Sequence, residues 1–181
     1  MRHGRGQAAS GLLRSGVARP LRLQFPGPIY HVTARGNRRQ DIFRSEADCL
    51  LYLALLARVA ERFEWEVFAY CLMPNHVHLV LRTRHANIAR GMQRLHGLYA
   101  QFFNERHGLT GHLFQGRYHS EVVRTERHAI ALARYVVANP VRAELCAHPS
   151  EWRWSSYPRD RGPRAATAVP RRGVDPRPFR Q

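Results

Sequence analysis

Residues 73–81 read Met-Pro-Asn-His-Val-His-Leu-Val-Leu. Pro-Asn marks a turn, and the run after it has the composition of a strand. Residues i and i+2 of a strand share a face. His76 and His78 therefore stand side by side, while Val77, Leu79 and Leu81 point to the opposite face and anchor the strand. Two neutral imidazoles held this way are good ligands for a divalent metal. The same pattern also suits a strand edge that carries two solvated histidines, so the rest of the chain must decide.

The neighbouring segments supply partners for this strand. Ile29 to Ala34 reads as a first strand, followed by a turn at Gly36-Asn37-Arg38-Arg39-Gln40. Ser45 is placed to cap a helix, with Glu46 and Asp48 in its first turn. Tyr52, Leu55, Leu56, Val59 and Phe63 then recur at spacings of three and four. Trp65 to Leu72 is a second strand, and His76 to Arg82 is its hairpin partner. From about Asn87, Ile88, Met92, Leu95, Tyr99 and Phe102 mark another helix, which Gly108 stops. Gly111 to Val123 is glycine-punctuated and extended. Thr125 caps a last helix running to about Asn139, where Pro140 disturbs it. This order predicts an α+β fold: a ferredoxin-like antiparallel sheet with helices packed on it.

On the last helix, at about 100° per residue, Ile130, Ala133 and Val137 form the expected apolar face. His128, Tyr135 and Asn139 fall on nearly the opposite side, and Tyr135 and Asn139 stack at i and i+4. Such a face suits the wall of a site, although an ordinary amphipathic helix produces it too.

Charge narrows the function. The chain of 181 residues carries a net charge of +16, and every basic residue other than histidine is an arginine. Guanidinium groups bind phosphate bidentately and stack on bases, so a polyanion partner is implied, most often nucleic acid. Residues 1–24 and 159–181 are basic, rich in Gly, Pro, Ala and Arg, and read as flexible tails around a folded domain at 25–158. Arg35, Arg38, Arg39 and Arg117 are the arginines of the folded part best placed for phosphate. Tyr118 beside Arg117 reads as DNA-contacting or structural. Trp152, Arg153 and Trp154 interleave aromatic and basic residues, which suits stacking on unpaired bases. Packing of that segment onto the domain explains the tryptophans equally well.

Cys49, Cys71 and Cys146 show neither zinc nor disulfide spacing and are expected to be thiols in a reducing cytoplasm. No secretion signal or membrane span is expected. The chain has no His-Glu-x-x-His pattern, which argues against a zinc hydrolase.

Asn75-His76-Val77-His78, followed downstream by Tyr135-Val-Val-Ala-Asn139-Pro140-Val141-Arg142, resembles the single-tyrosine HUH transposases. The REP-associated tyrosine transposases, relatives of small insertion-sequence enzymes, are the most similar branch. Tyr30-His31-Val32-Thr33-Ala34-Arg35-Gly36-Asn37, Gly111-His112-Leu113-Phe114-Gln115-Gly116-Arg117-Tyr118 and Trp152-Arg153-Trp154-Ser155-Ser156-Tyr157 extend the resemblance over roughly residues 25–158. It implies metal-dependent cleavage and joining of single-stranded DNA hairpins in a prokaryotic nucleoid. Tyr135 would be the nucleophile. His76, His78 and Asn139 would bind Mg²⁺ or Mn²⁺. Relatives act as monomers or homodimers. The alternative is a domesticated, non-catalytic protein that binds single-stranded nucleic acid.

Overall fold

The computed structural model describes residues 24–157; the two predicted tails lie outside them, except for Gln24. The chain runs β1 (Ile29–Arg35), α1 (Glu46–Phe63), β2 (Trp65–Met73), β3 (His76–Thr83), α2 (Ile88–His107), β4 (His119–Val123), α3 (Glu126–Val137) and a single turn α4 (Asn139–Arg142). The sheet order is β2-β3-β1-β4, with every neighbouring pair antiparallel. This is the ferredoxin-like arrangement expected from the element order. The extended reading of 111–123 holds only for β4. Residues 111–118 instead form a loop tied to the end of β1, where Asn37 N–H donates to the Leu113 carbonyl and Gln115 N–H to that of Arg35.

The alternation in β3 sorts the two sides of the sheet. Val77, Leu79 and Leu81 are fully buried in the main core with Tyr30, Leu56, Met92, Leu95 and Tyr99 from β1, α1 and α2. Burial of each such aliphatic side chain contributes about 1.5–3 kcal/mol. On the reverse side, Val80 joins Ala69, Cys71, Met73 and Val136 in a smaller cluster beneath α3. His76 and His78 lie on that second side.

Local signals set the helix ends. The Ser45 hydroxyl accepts from Asp48 N–H, and the Asp48 carboxylate accepts from Ser45 N–H at 2.9 Å, closing a capping box. Asp48 is fully buried. Burial pushes its pKa up, but hydrogen bonds from Arg44, Ser45, His107 and Arg106 outweigh this and hold it below the usual carboxylate value. Gly108 ends α2 at φ +61°. Gly91, within α2, admits the Trp65 ring: a Cβ there would meet it at 2.1 Å.

The apolar face of α3 differs from the expectation. Ile130 is 58% exposed, and the helix is seated by buried Val136, with Leu132 and Ala133 packed beside it. Hydrophobicity alone favoured Ile130, but the side of α3 that meets the second face of the sheet is the one carrying Leu132, Ala133 and Val136. Cys49 and Cys71 are buried thiols, and Cys146 is half-exposed. No helix among the described residues is long and apolar enough to cross a membrane.

Candidate functional site

The two histidines of β3 and the tyrosine of α3 meet. The His76 and His78 ring centroids are 5.0 Å apart, and the Tyr135 ring stands edge-on to His78 at 6.4 Å. Tyr135 keeps 41% of its surface exposed while Val136, next to it, is fully buried. The seat that anchors α3 thus leaves the phenol at the rim. Asn139, one turn on, donates its amide N–H to the carbonyls of Tyr135 and Val136, at 3.0 and 3.3 Å. That fixes the amide and leaves its Oδ1 as an acceptor.

The imidazoles are neutral at neutral pH. Burial lowers the pKa of His76, with Arg35 nearby adding to the effect. Burial, then His76, His31 and Arg35, push that of His78 down to about 3. Each ring has a partner at Nδ1. His76 Nδ1 donates to Asn75 Oδ1 at 2.7 Å, and Asn75 in turn donates Nδ2–H to the Arg39 carbonyl at 3.2 Å. His78 Nδ1 lies 3.0 Å from His31 Nε2, with the two ring planes within 11° of each other.

The loop before α1 supports this end of β3. Arg38 and Arg39 both adopt left-handed backbone angles, at φ +53° and +62°. A Cβ on Gly36 would collide with the Gln40 carbonyl oxygen at 2.0 Å, so only glycine permits the turn to close. Gly36 N–H donates to the Asn75 carbonyl, and Ile42 and Phe43 N–H both donate to Pro74. The segment therefore grips the β2–β3 turn from which the histidines emerge.

Arginines surround the site. Arg35 is the β-pairing partner of His76. The Arg142 guanidinium lies 5.2 Å from the centre of the Tyr135 ring. Among the described residues neither is in an ion pair. The sequence does not single out Arg142 or Asn75, and for His31 it leaves open whether the ring faces the site or lies under a loop. Asn75 stands in the histidine segment and Arg142 three residues after Asn139, but the pairing of His31 with His78 depends on strand register.

Other predicted contacts fall elsewhere. Arg38 and Arg39 are exposed in the turn beside Asn75. Arg117 is exposed on the α2 side of the sheet, in a cleft of about 860 Å³. Tyr118 is only 5% exposed and packs in the main core, which removes it as a stacking surface. Trp152 donates its indole N–H to the Leu72 carbonyl at 3.0 Å, and Leu72 N–H donates to that of Trp154. The tryptophans thus pin residues 152–156 along β2. Arg153 lies over the Trp154 ring and pairs with Glu46. These contacts give the segment the packing role that was one of its two expected readings.

A second basic surface was not foreseen. The Arg117 cleft shares Gln93 and Gly97 with another of about 690 Å³, lined by Arg62, His85, Arg90 and Arg94. No acidic residue lines either cleft.

Comparison with known proteins gives the family and the fold. Residues 26–139 match the IS200-like transposase family. The chain belongs to that family, whose members as a class cleave and join DNA. A solved REP-associated tyrosine transposase bound to a REP hairpin shares the fold at a TM-score of 0.64 and 18% identity, covering 83% of this chain and 97% of its own. A protein of Deinococcus radiodurans R1, described as a candidate transposase, matches at a TM-score of 0.44 and 22% identity, covering 75% of this chain and 95% of its own. Comparison with curated proteins gives no match.

Proposed function

We propose that the chain is a metal-dependent strand transferase acting on hairpin-forming single-stranded DNA through a 5′-phosphotyrosine. The observation that carries this is the meeting of Tyr135 with the His76–His78 pair across two separate elements.

The donor set fits a hard or borderline divalent ion. Two imidazoles are kept neutral by burial, and each has its Nδ1 engaged. Among the described residues no group of three His, Cys, Asp or Glu side chains could hold an ion. Asn139, whose amide N–H is held by its own helix and whose Oδ1 is left to accept, is proposed as the third protein ligand that the family resemblance implies, with Mg²⁺ or Mn²⁺ as the ion. When bound, the ion offsets charge on the scissile phosphate.

The residues of the chain do the rest. Tyr135 gives up its phenolic proton to solvent, and its oxygen attacks phosphorus. The P–O3′ bond breaks, and the departing oxygen takes a proton to become a free 3′-OH. Tyr135 retains the 5′-phosphate. A second 3′-OH can attack that ester and release the phenol, so joining needs no external energy source. Arg35 and Arg142 are placed to hold phosphate near the two ends of the site. Arg38, Arg39 and the α2 clefts offer further phosphate contacts. A cytoplasmic, nucleoid-associated protein, monomeric or dimeric, suits this chemistry, and residues 1–24 and 159–181 are proposed as basic tails.

Incubation of the full chain with hairpin oligonucleotides and Mn²⁺ tests the reading. A denaturation-resistant protein–DNA adduct is expected, and Tyr135→Phe abolishes it. An adduct that persists in Tyr135→Phe refutes the nucleophile.

A further inference from the structure

We propose that His31 is a positioning residue for His78: it accepts the Nδ1–H hydrogen bond of His78 and so leaves Nε2 as the nitrogen with an available lone pair. The inference rests on the reading of His76 and His78 as metal ligands.

Strand register brings the two rings together. Thr33 of β1 is the direct partner of His78 on β3, and Val80 is the partner of His31. His31 and His78 are thus diagonal neighbours on one face of an antiparallel pair, within reach of long side chains. Their rings are nearly coplanar, with planes 11° apart and centroids 5.3 Å apart, and meet edge to edge with His31 Nε2 3.0 Å from His78 Nδ1. Two neutral imidazoles at that distance share one proton-bearing nitrogen.

The proton can lie on either ring, and the two choices differ in consequence. If it is on His78 Nδ1, then His78 Nε2 is bare and can donate a lone pair. If it is on His31 Nε2, then His78 Nδ1 accepts it, and the proton of His78 occupies Nε2. His78 then has no free lone pair. Only the first choice makes His78 a ligand.

His76 shows the same device with the direction fixed. Asn75 turns its Nδ2 to the Arg39 carbonyl, so its Oδ1 faces His76 Nδ1. An amide oxygen only accepts. His76 is therefore protonated at Nδ1 and bare at Nε2. With His31 as the acceptor, both histidines present the same nitrogen. Partners that fix ligand tautomers in this way change metal affinity by about 10- to 100-fold.

Two measurements test the proposal. The first is a long-range ¹H–¹⁵N spectrum of the metal-free, histidine-labelled full chain near neutral pH. Protonation of His78 at Nδ1 is expected; protonation at Nε2 overturns the proposal. The second is Mn²⁺ affinity by calorimetry. His31→Phe keeps an aromatic ring at the position but removes the acceptor, so a loss of about 10- to 100-fold is expected. His31→Gln, whose Oε1 can accept, restores most of it. Unchanged affinity in His31→Phe overturns the proposal. If wild-type chain with the Nδ1–H tautomer binds no Mn²⁺, the metal reading fails instead, and the two failures stay distinct.

Discussion

Tyr135 stands edge-on to His78, their rings at 84° and their centroids 6.4 Å apart. The two residues come from a helix and a strand that are distant in sequence and share only a small apolar seam. Their meeting makes the two halves of the family signature one site. The Arg142 guanidinium lies over the same phenol ring.

Arg142→Ala should slow adduct formation by at least about tenfold, the scale of removing one charge that acts on the transition state. Arg142 is exposed, so melting should change by no more than about 0.5 kcal/mol. Single-turnover adduct assays beside thermal melts check this. An unchanged rate would leave Arg142 as a surface cation only.

The double variant Arg90→Glu with Arg94→Glu should weaken binding to single-stranded DNA and flatten its salt dependence. The expected change in slope is about 0.7 for each phosphate that the variant no longer neutralises. Fluorescence anisotropy over a salt series reads it. A slope identical to wild type would remove the α2 clefts from the DNA path.

Acid should destabilise the fold well above the carboxylate range. Burial holds His78 and His96 at about 3, far below the value of about 6.5 in an unfolded chain. Between those values the unfolded chain binds more protons. Stability is therefore complete above about pH 6.5 and falls toward pH 3, by up to about 1.4 kcal/mol per pH unit for each histidine. Asp48, whose pKa is lowered, acts in the same direction at lower pH. His96 stacks on Phe114 at 4.2 Å, away from the site. His96→Gln should lower stability at neutral pH and make its fall between about pH 6 and pH 4 shallower. Urea midpoints across that range decide; an unaltered gradient would count against the assignment.

Gly91→Ala should destabilise although alanine is the better helix former. The added Cβ would meet the buried Trp65 ring at 2.1 Å. Overpacking of this kind costs about 1–3 kcal/mol, against about 1 kcal/mol from improved helix propensity. A net loss by urea titration is expected, with Trp65→Leu in the same chain relieving it. A rise in stability would mean that the indole moves aside freely.

The strand alternation at 76–81 was legible because one period of two decides both the buried face and the histidine face. The helix stripes from Tyr52 and Ile88 were legible for the same reason. Ile130 misled because a hydrophobic wheel does not say which of its neighbouring faces meets the sheet. Tyr118, Trp152 and Trp154 stayed open in the sequence because an aromatic beside arginine reads alike whether it stacks on a base or closes a core. His31 became informative only once β1 was paired with β3, a relation across 47 residues that no local pattern encodes.

The uneven division of the core carries a consequence for how the protein fails. β3 is locked into the main core, whereas α3, which carries Tyr135, rests on five buried residues, of which Val136 alone is its own. Elements with little buried anchorage open before the rest. The strand that carries His76 and His78 and the helix that carries Tyr135 are therefore expected to open at different temperatures. Warming should disassemble the reaction centre while the sheet is still intact, so transfer activity would vanish at a temperature where the bulk of the molecule remains folded and still grips DNA.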